Sequence, residues 1–258
     1  SGTSWWGMAT TDLVPFFEER YAEIEAYLSF LQNVEDAARE GAPRLRGTDA
    51  PITTEQKKIL NSSLYLQLYN LVEATVLRCL EAVVAAVEEA ERRPSELSIG
   101  LRTEWVRSVA RTHSDLGPDK RLEAVLDLCE QLLQQMPVKE FKIERGGGGN
   151  WDDSSIEKMC ERVGIGLELS PNVVQAAKRH VRDDMGALKL VKNRRNGLAH
   201  GSLSFVDCSD GVTVSELKGL ATAVCDYLGE AVGCFVGFIE SEIVNKEAQV
   251  EEKGVSAS

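Results

Sequence analysis

The sequence predicts an all-α fold: an up-and-down bundle of four long helices, with shorter helices and a glycine-rich insertion between them. Three observations carry that expectation. Apolar residues recur at i, i+3 and i+4 through nearly every long segment, the spacing that lines one face of a helix. No segment alternates apolar and polar residues with period two, as a half-buried strand would. The breaks between periodic segments fall at proline, glycine or residues able to cap a helix.

The first helix is expected from a cap at Thr11 or Asp12 to about Glu40, with Leu13, Phe16, Phe17, Ile24, Tyr27, Leu28, Leu31 and Val34 as its stripe. GAPRLRGTDAP, Gly41 to Pro51, reads as a loop. Thr53 and Gln56 stand three apart, the spacing of a capping box. They open the longest periodic run, which carries Ile59, Leu64, Leu68, Leu71, Val72, Leu80 and Val84 and reaches Arg93 before Pro94. Its apolar content predicts burial on most sides. Ser95 is expected to cap a shorter helix to Thr112, and Asp119, just after Pro118, another to Gln135.

After Pro137 the pattern stops. VKEFKIERGGGGNWDD holds a short extended run and four consecutive glycines, which read as a small hairpin or excursion. The glycines lack the preceding strand, following helix and lysine of a phosphate loop, so no nucleotide site is assigned to them. Ser154 and Glu157 offer a second capping box, for a helix to about Val163. From Pro171 one long helix is expected, carrying Val174, Ala177, Val181, Met185, Leu188 and Val191 into the stretch KNRRNGLAHGSLSF, Lys192 to Phe205. Ser215 is expected to cap the last long helix, with Leu217, Leu220, Val224, Leu228, Val232, Phe235, Ile239 and Ile243 on its stripe. One domain over residues 11–247 results. SGTSWWG at 1–7 reads as vector-derived, and the patternless residues 248–258 as a disordered tail.

Composition narrows the function classes. With 258 residues, 43% hydrophobic and 27% charged, the chain is ordinary globular material. It has no run of about 18 consecutive apolar residues and no basic stretch leading into an apolar one, so a cytoplasmic chain without a membrane partner is expected. Its six cysteines form no CxxC pair, which favours structural thiols over zinc or disulfides. The net charge of −12 argues against a protein that coats DNA. Against that background, residues 178–201 hold seven Lys/Arg and two Asp, a local balance of +5.

The chemistry of that cationic stretch suits a phosphodiester. Arginine presents a planar, permanently charged fork to phosphate oxygens, and histidine exchanges protons near neutrality. RNA carries its own nucleophile, the 2′-hydroxyl, so Arg195 and His200 together could cleave it without a cofactor or metal. Five residues separate the two, about 500° of helix, which leaves their side chains about 140° apart on an unbroken helix. Convergence within one chain therefore requires a break, expected at Gly197, which costs about 1 kcal/mol in a helix interior. The bare spacing is not specific, since Arg107 and His113 stand six apart in the same chain. The competing reading of His200 is a polar residue at a helix C-terminus, where the helix dipole favours a cation.

The words around the spacing sharpen it. RNGLAHG resembles the signature of the HEPN superfamily (higher eukaryotes and prokaryotes nucleotide-binding), in which an Arg followed by a polar residue precedes His by four to six residues. YNLVEATV, Tyr69 to Val76, is similar to an early helix of bacterial HEPN proteins, and FFEERYAEIEAYLSFL, Phe16 to Leu31, resembles a stand-alone nuclease branch. The resemblance implies an all-α bundle that dimerises to bring two motifs into one composite cleft. It also implies a metal-independent endoribonuclease of a toxin–antitoxin or antiviral system, with an antitoxin or defence partner. Carried over by position, Arg195 holds the phosphate, His200 is the acid/base and Asn196 the polar neighbour. Glu73 is a positioning residue, and Arg194 and Lys192 are added as substrate-binding cations. Some toxin members have Tyr two residues after the His; here Ser202 stands there. The alternative is a non-catalytic HEPN scaffold or partner-binding module.

Overall fold

In the computed structural model, residues 12–45, 47, 50–112, 117–139, 142–145 and 150–244 are described. The stretch at 1–7, the glycine run at 146–149, His113 and the tail at 248–258 lie outside them. Among the described residues there is no strand, only two isolated antiparallel bridges, Arg44 with Pro51 and Arg182 with Met185. Nothing of the expected hairpin appears in the described flank 142–145.

Three long helices form the frame: α1 (Leu13–Glu40), α2 (Thr54–Glu89) and α9 (Val214–Phe238), all in mutual contact. α1 buries one stripe, Leu13, Phe17, Ile24, Leu31 and Val34, as its three-four spacing requires. α2 buries residues all along its length from Ser62 to Val87, because α1, α9 and the helices of the candidate site enclose it. Ile59, expected in that stripe, is 40% exposed. The Thr53 capping box is present: Thr53 Oγ1 accepts the Gln56 N–H at 3.1 Å, and Gln56 Oε1 accepts the Thr53 N–H at 2.8 Å. α2 ends at Glu89 rather than Arg93, because the chain turns through a left-handed Glu91. Arg92, buried by that turn, donates from Nε to the Ile243 carbonyl at 2.8 Å. It thereby ties the end of α2 to the π-helical turn Ile239–Val244 that continues α9.

The shorter helices are α3 (Ile99–Thr112), α4 (Pro118–Gln134), α5 (Asp153–Val163), α6 (Pro171–Lys178), α7 (Ala187–Ala199) and the single turn α8 (Phe205–Cys208). Their starts differ from expectation by a few residues. Ser98, not Ser95, caps α3, its Oγ accepting the Leu101 N–H at 3.3 Å; Gly117, not Asp119, precedes α4. Asp152 and Ser155, not Ser154 and Glu157, form the box of α5, and Thr213 with Glu216, not Ser215, caps α9. The third long helix is delivered in two pieces. Between α6 and α7 the chain turns through Asp183 and Asp184, both left-handed, a conformation that Asp tolerates better than most residues. Gly186 lets α7 start hard against α6, since a Cβ there would stand 2.6 Å from the Ala177 carbonyl oxygen.

Cys79, Cys160, Cys208 and Cys225 are buried and all six thiols are free. Burial pushes the Cys79, Cys160 and Cys225 thiols up to about 12, so they act as small apolar side chains. Val214–Ile243 is long and apolar enough to cross a membrane by composition, but 56% of its most apolar window is buried inside the bundle. α4 is the outlier: Leu122, Val125, Leu126 and Leu133 on it are exposed, and α3 is its principal contact.

The α3–α5 contact is closed by a glycine. A Cβ on Gly100 would stand 2.2 Å from the Val163 carbonyl oxygen, so Gly100→Ala must push backbone away from backbone. We expect it to cost about 1–3 kcal/mol, read as a Tm lowered by about 2–4 °C per kcal/mol for a chain of this size. Gly233→Ala, where a Cβ meets nothing, is expected to raise Tm through helix propensity alone. Equal effects of the two in thermal denaturation would refute the close approach.

Candidate functional site

α7 carries the motif and does not break where the glycine suggested. It runs unbroken through Gly197 to Ala199, and His200 is its C-cap, with its N–H on the Asn196 carbonyl at 3.0 Å. The helix ends at Gly201, φ +70, a left-handed C-terminal glycine, with the Leu203 N–H returning to the Gly197 carbonyl at 3.1 Å. Ser202 adds a long side-chain bond to the same carbonyl. Gly197 serves packing instead: a Cβ there would approach the Leu203 Cβ to 3.0 Å. Because the helix is continuous, Arg195 and His200 of one chain project about 140° apart.

Arg195 is held on three sides. Its guanidinium carbon lies 4.3 Å from the centroid of the Tyr69 ring. Its Nη1 donates to Asn196 Oδ1 at 2.9 Å, and Nη2 stands 3.7 Å from Glu73 Oε2. Tyr69 and Glu73 are one turn apart on α2, so one face of a buried helix supplies both the platform and the counter-charge. Tyr69 is itself buried, and its hydroxyl oxygen accepts the Trp151 N–H at 3.2 Å. The structure thus brings Arg195, Asn196 and Glu73 together. His200 lies exposed at the helix end.

The other two cations go elsewhere. Lys192 hydrogen-bonds the Asp152 carboxylate, and Arg194, turned about 100° from Arg195, pairs with Asp183 and is largely covered. Neither is presented for substrate as the sequence reading had them. The local +5 balance also dissolves. Lys178 pairs with Glu157, Arg182 with Glu216, Lys192 with Asp152, Arg194 with Asp183 and Arg195 with Glu73. Five of the seven cations have an acidic partner, four of them from outside residues 178–201. Arg195 has the longest of these pairings, and its Glu73 contact is beyond hydrogen-bond range.

Three functional neighbours escaped the sequence reading. Tyr69 was legible as the residue four before Glu73, hence on the same helix face. Asp152 was masked by two further cap candidates in WDDSS, and Asp183 sat in what read as helix. Burial acts to raise the Asp152 carboxyl, but its hydrogen bonds with Lys192 and Ser155 outweigh burial and hold it below the usual carboxylate value. Asp153, half-buried beside it, is pushed up by burial and by the Asp152 charge. Burial likewise pushes Tyr65, on the Arg194 side, up to about 12. Among the described residues, no group of three or more His, Cys, Asp or Glu could hold a metal ion.

An all-α bundle whose second helix is enclosed and whose C-terminal helical hairpin displays an Arg–x4–His end defines a helical domain class rather than an α/β nucleotide fold. A family model, that of the HEPN_MAE_28990-like HEPN family, matches residues 10–242, and the chain belongs to that family. No curated protein matches significantly. No solved structure does either.

The Lys192–Asp152 pair gives a pH signature. Asp152→Asn keeps a capping side chain but removes the charge, and is expected to lower stability at pH 7. The folded carboxyl is more acidic than the unfolded one, so this contribution is full above about pH 3.9 and is lost as pH falls through the lower folded value. Urea denaturation of wild type and variant from pH 7 to pH 3 tests it; a gap that does not narrow at the acid end would mean the pair contributes nothing.

Proposed function

We propose that the chain is a metal-independent endoribonuclease of HEPN type, acting in a toxin–antitoxin or antiviral-defence setting, whose active cleft is composed by two copies. The observation that carries this reading is the Arg195 guanidinium, braced on Tyr69 by Asn196 and Glu73, on the same terminal turns that display an exposed His200. Arginine has five N–H donors, and only one is hydrogen-bonded here, so the fork retains donors for a phosphate. Arg195 holds the scissile phosphate and offsets the charge that builds on its oxygens. His200 takes the proton from the 2′-hydroxyl, whose oxygen attacks phosphorus. The P–O5′ bond breaks and the departing oxygen takes a proton from water, leaving a 2′,3′-cyclic phosphate and a 5′-hydroxyl end. Because α7 is unbroken, one chain aims its Arg195 and His200 apart; Arg195 of one copy facing His200 of a second completes the pair. An enzyme so simple in its requirements would be held in check by a partner protein.

One observation favours a second reading, a non-catalytic HEPN scaffold: Arg195 already has three intramolecular neighbours. RNA bound without turnover by the wild-type protein would select it.

The test uses purified protein and RNA in EDTA. Arg195→Ala and His200→Ala are each expected to lower cleavage about 10²–10⁴-fold, and an oligomer with 2′-deoxyribose at the cut position is expected to resist cleavage. Wild-type rates in both variants would sink the nuclease proposal at this site.

A further inference from the structure

A cavity of about 230 Å³ opens beside the candidate site, lined by Arg145, Trp151, Ser155, Lys158 and Arg162 among others. We infer that it is a phosphate-binding subsite, taking a backbone phosphate of single-stranded RNA next to the one held by Arg195. The inference rests on the nuclease reading and extends it along the substrate.

Charge is the first support. Arg162 and Arg107 share one buried carboxylate, Glu104, with Arg162 Nε 3.0 Å from it. Arg145 and Lys158 are exposed, and no described carboxylate lies within ion-pair distance of either. Three cations, Arg145, Lys158 and Arg162, thus line the cavity with no carboxylate among its described lining residues, in a chain whose net charge is −12. Residues 178–201 show the opposite, five of the seven cations there having an acidic partner. This cluster keeps its surplus.

A buried donor without a partner also sits in the wall behind the cavity. Trp151 is 2% exposed, and its indole N–H has no hydrogen-bond partner, where a buried donor left unmade costs about 1–3 kcal/mol. An oxygen-rich anion is the chemistry that fits a cavity with three cations and no carboxylate among its described lining residues. Its size points the same way, since about 300–1,000 Å³ is typical for a drug-sized ligand, and this space suits a phosphate or ribose phosphate. Trp151 is too deeply covered to offer a ring face for base stacking. The subsite therefore binds backbone and reads no sequence.

Its position links it to Arg195. Trp151 lines the cavity, and its backbone N–H meets the hydroxyl of Tyr69, the ring beneath Arg195. The next residue, Asp152, holds Lys192 one turn before Arg195. On the subsite reading, an RNA strand with one phosphate at Arg195 runs on to this cavity.

The experiment measures binding of a single-stranded RNA oligomer to the His200→Ala protein across salt concentrations, with and without Arg145→Ala/Lys158→Ala. Both residues are exposed, and thermal melts check that the fold is kept; Arg162 is left alone because it holds Glu104. The double variant is expected to bind about tenfold more weakly, with the salt slope shallower by about one, while Lys57→Ala at the far end of α2 changes neither. In a His200-intact background the double variant is expected to raise KM with little change in kcat. Unchanged affinity and slope in the double variant, with wild-type RNA cleavage intact, would overturn the subsite and leave the nuclease reading standing. Wild type that neither binds nor cleaves RNA would overturn both. If AMP binds tightly through Arg145 and Lys158 while RNA affinity ignores them, the cavity serves a free nucleotide and the RNA subsite is overturned.

Discussion

The candidate site stands on the face of one buried aromatic ring. Tyr69 lies inside α2, the helix on which α1, α7, α8, α9 and the π-helical turn all pack, so its position is set by much of the bundle. Its ring carries the Arg195 guanidinium and its hydroxyl receives the chain entering α5. A cation over an aromatic face contributes about 0.5–1 kcal/mol when exposed and about 2 kcal/mol when desolvated. Arg195, partly covered, falls between. The larger effect is on order: an arginine side chain loses about 2 kcal/mol of rotamer freedom on fixing, and Tyr69, Asn196 and Glu73 offset that loss during folding instead of during binding. A guanidinium so placed meets its ligand with its geometry already set.

The acids of the chain explain how a strongly charged helix can be built here at all. α7 and the segment before it concentrate cations that would repel one another, and carboxylates from α2, α5, α9 and the α6–α7 turn each take one. Several of these pairs are surface pairs worth little in stability. Their consequence is selectivity of charge. An overall balance of −12 keeps a polyanion off most of the surface, so the cations that remain at the mouth of the site dominate any encounter with one.

The helical class was legible because three-four spacing is a property of the chain itself, and burial of that stripe is what drives the helices together. The Thr53 box was legible because one threonine and one glutamine offered a single register. Cap positions were missed by two or three residues where the sequence offers several oxygens in a row, as in SELS, WDDSS and TVS; tertiary packing then selects among nearly equal caps. The break between α6 and α7 was hidden because apolar spacing continues across Val181 and Met185, while the turn is imposed by left-handed Asp183 and Asp184. The proximity of Glu73 to Arg195 was reachable by resemblance, and the geometry places them 3.7 Å apart. Spacing put Tyr69 on the Glu73 face, but its role under Arg195, like that of Trp151, was not readable, since both depend on contacts between residues far apart in the chain.

The shift of the helix end from Gly197 to Gly201 changes what one chain can do. A break at Gly197 would have folded His200 back toward Arg195 and made a site within a single copy. With the end at Gly201, the histidine stands exposed at the C-terminal turn. Arg195 is meanwhile anchored inward to Tyr69, so the two halves of the proposed chemistry face different directions from one rigid helix. Rotating α7 cannot reconcile them, because Arg195 would leave the ring that orders it. A twofold contact between copies resolves this with no internal movement, since the same surface supplies a cation to one side and a proton carrier to the other. On the proposed reading, separating the copies would silence the enzyme while leaving each bundle folded, so assembly itself is the natural point of control.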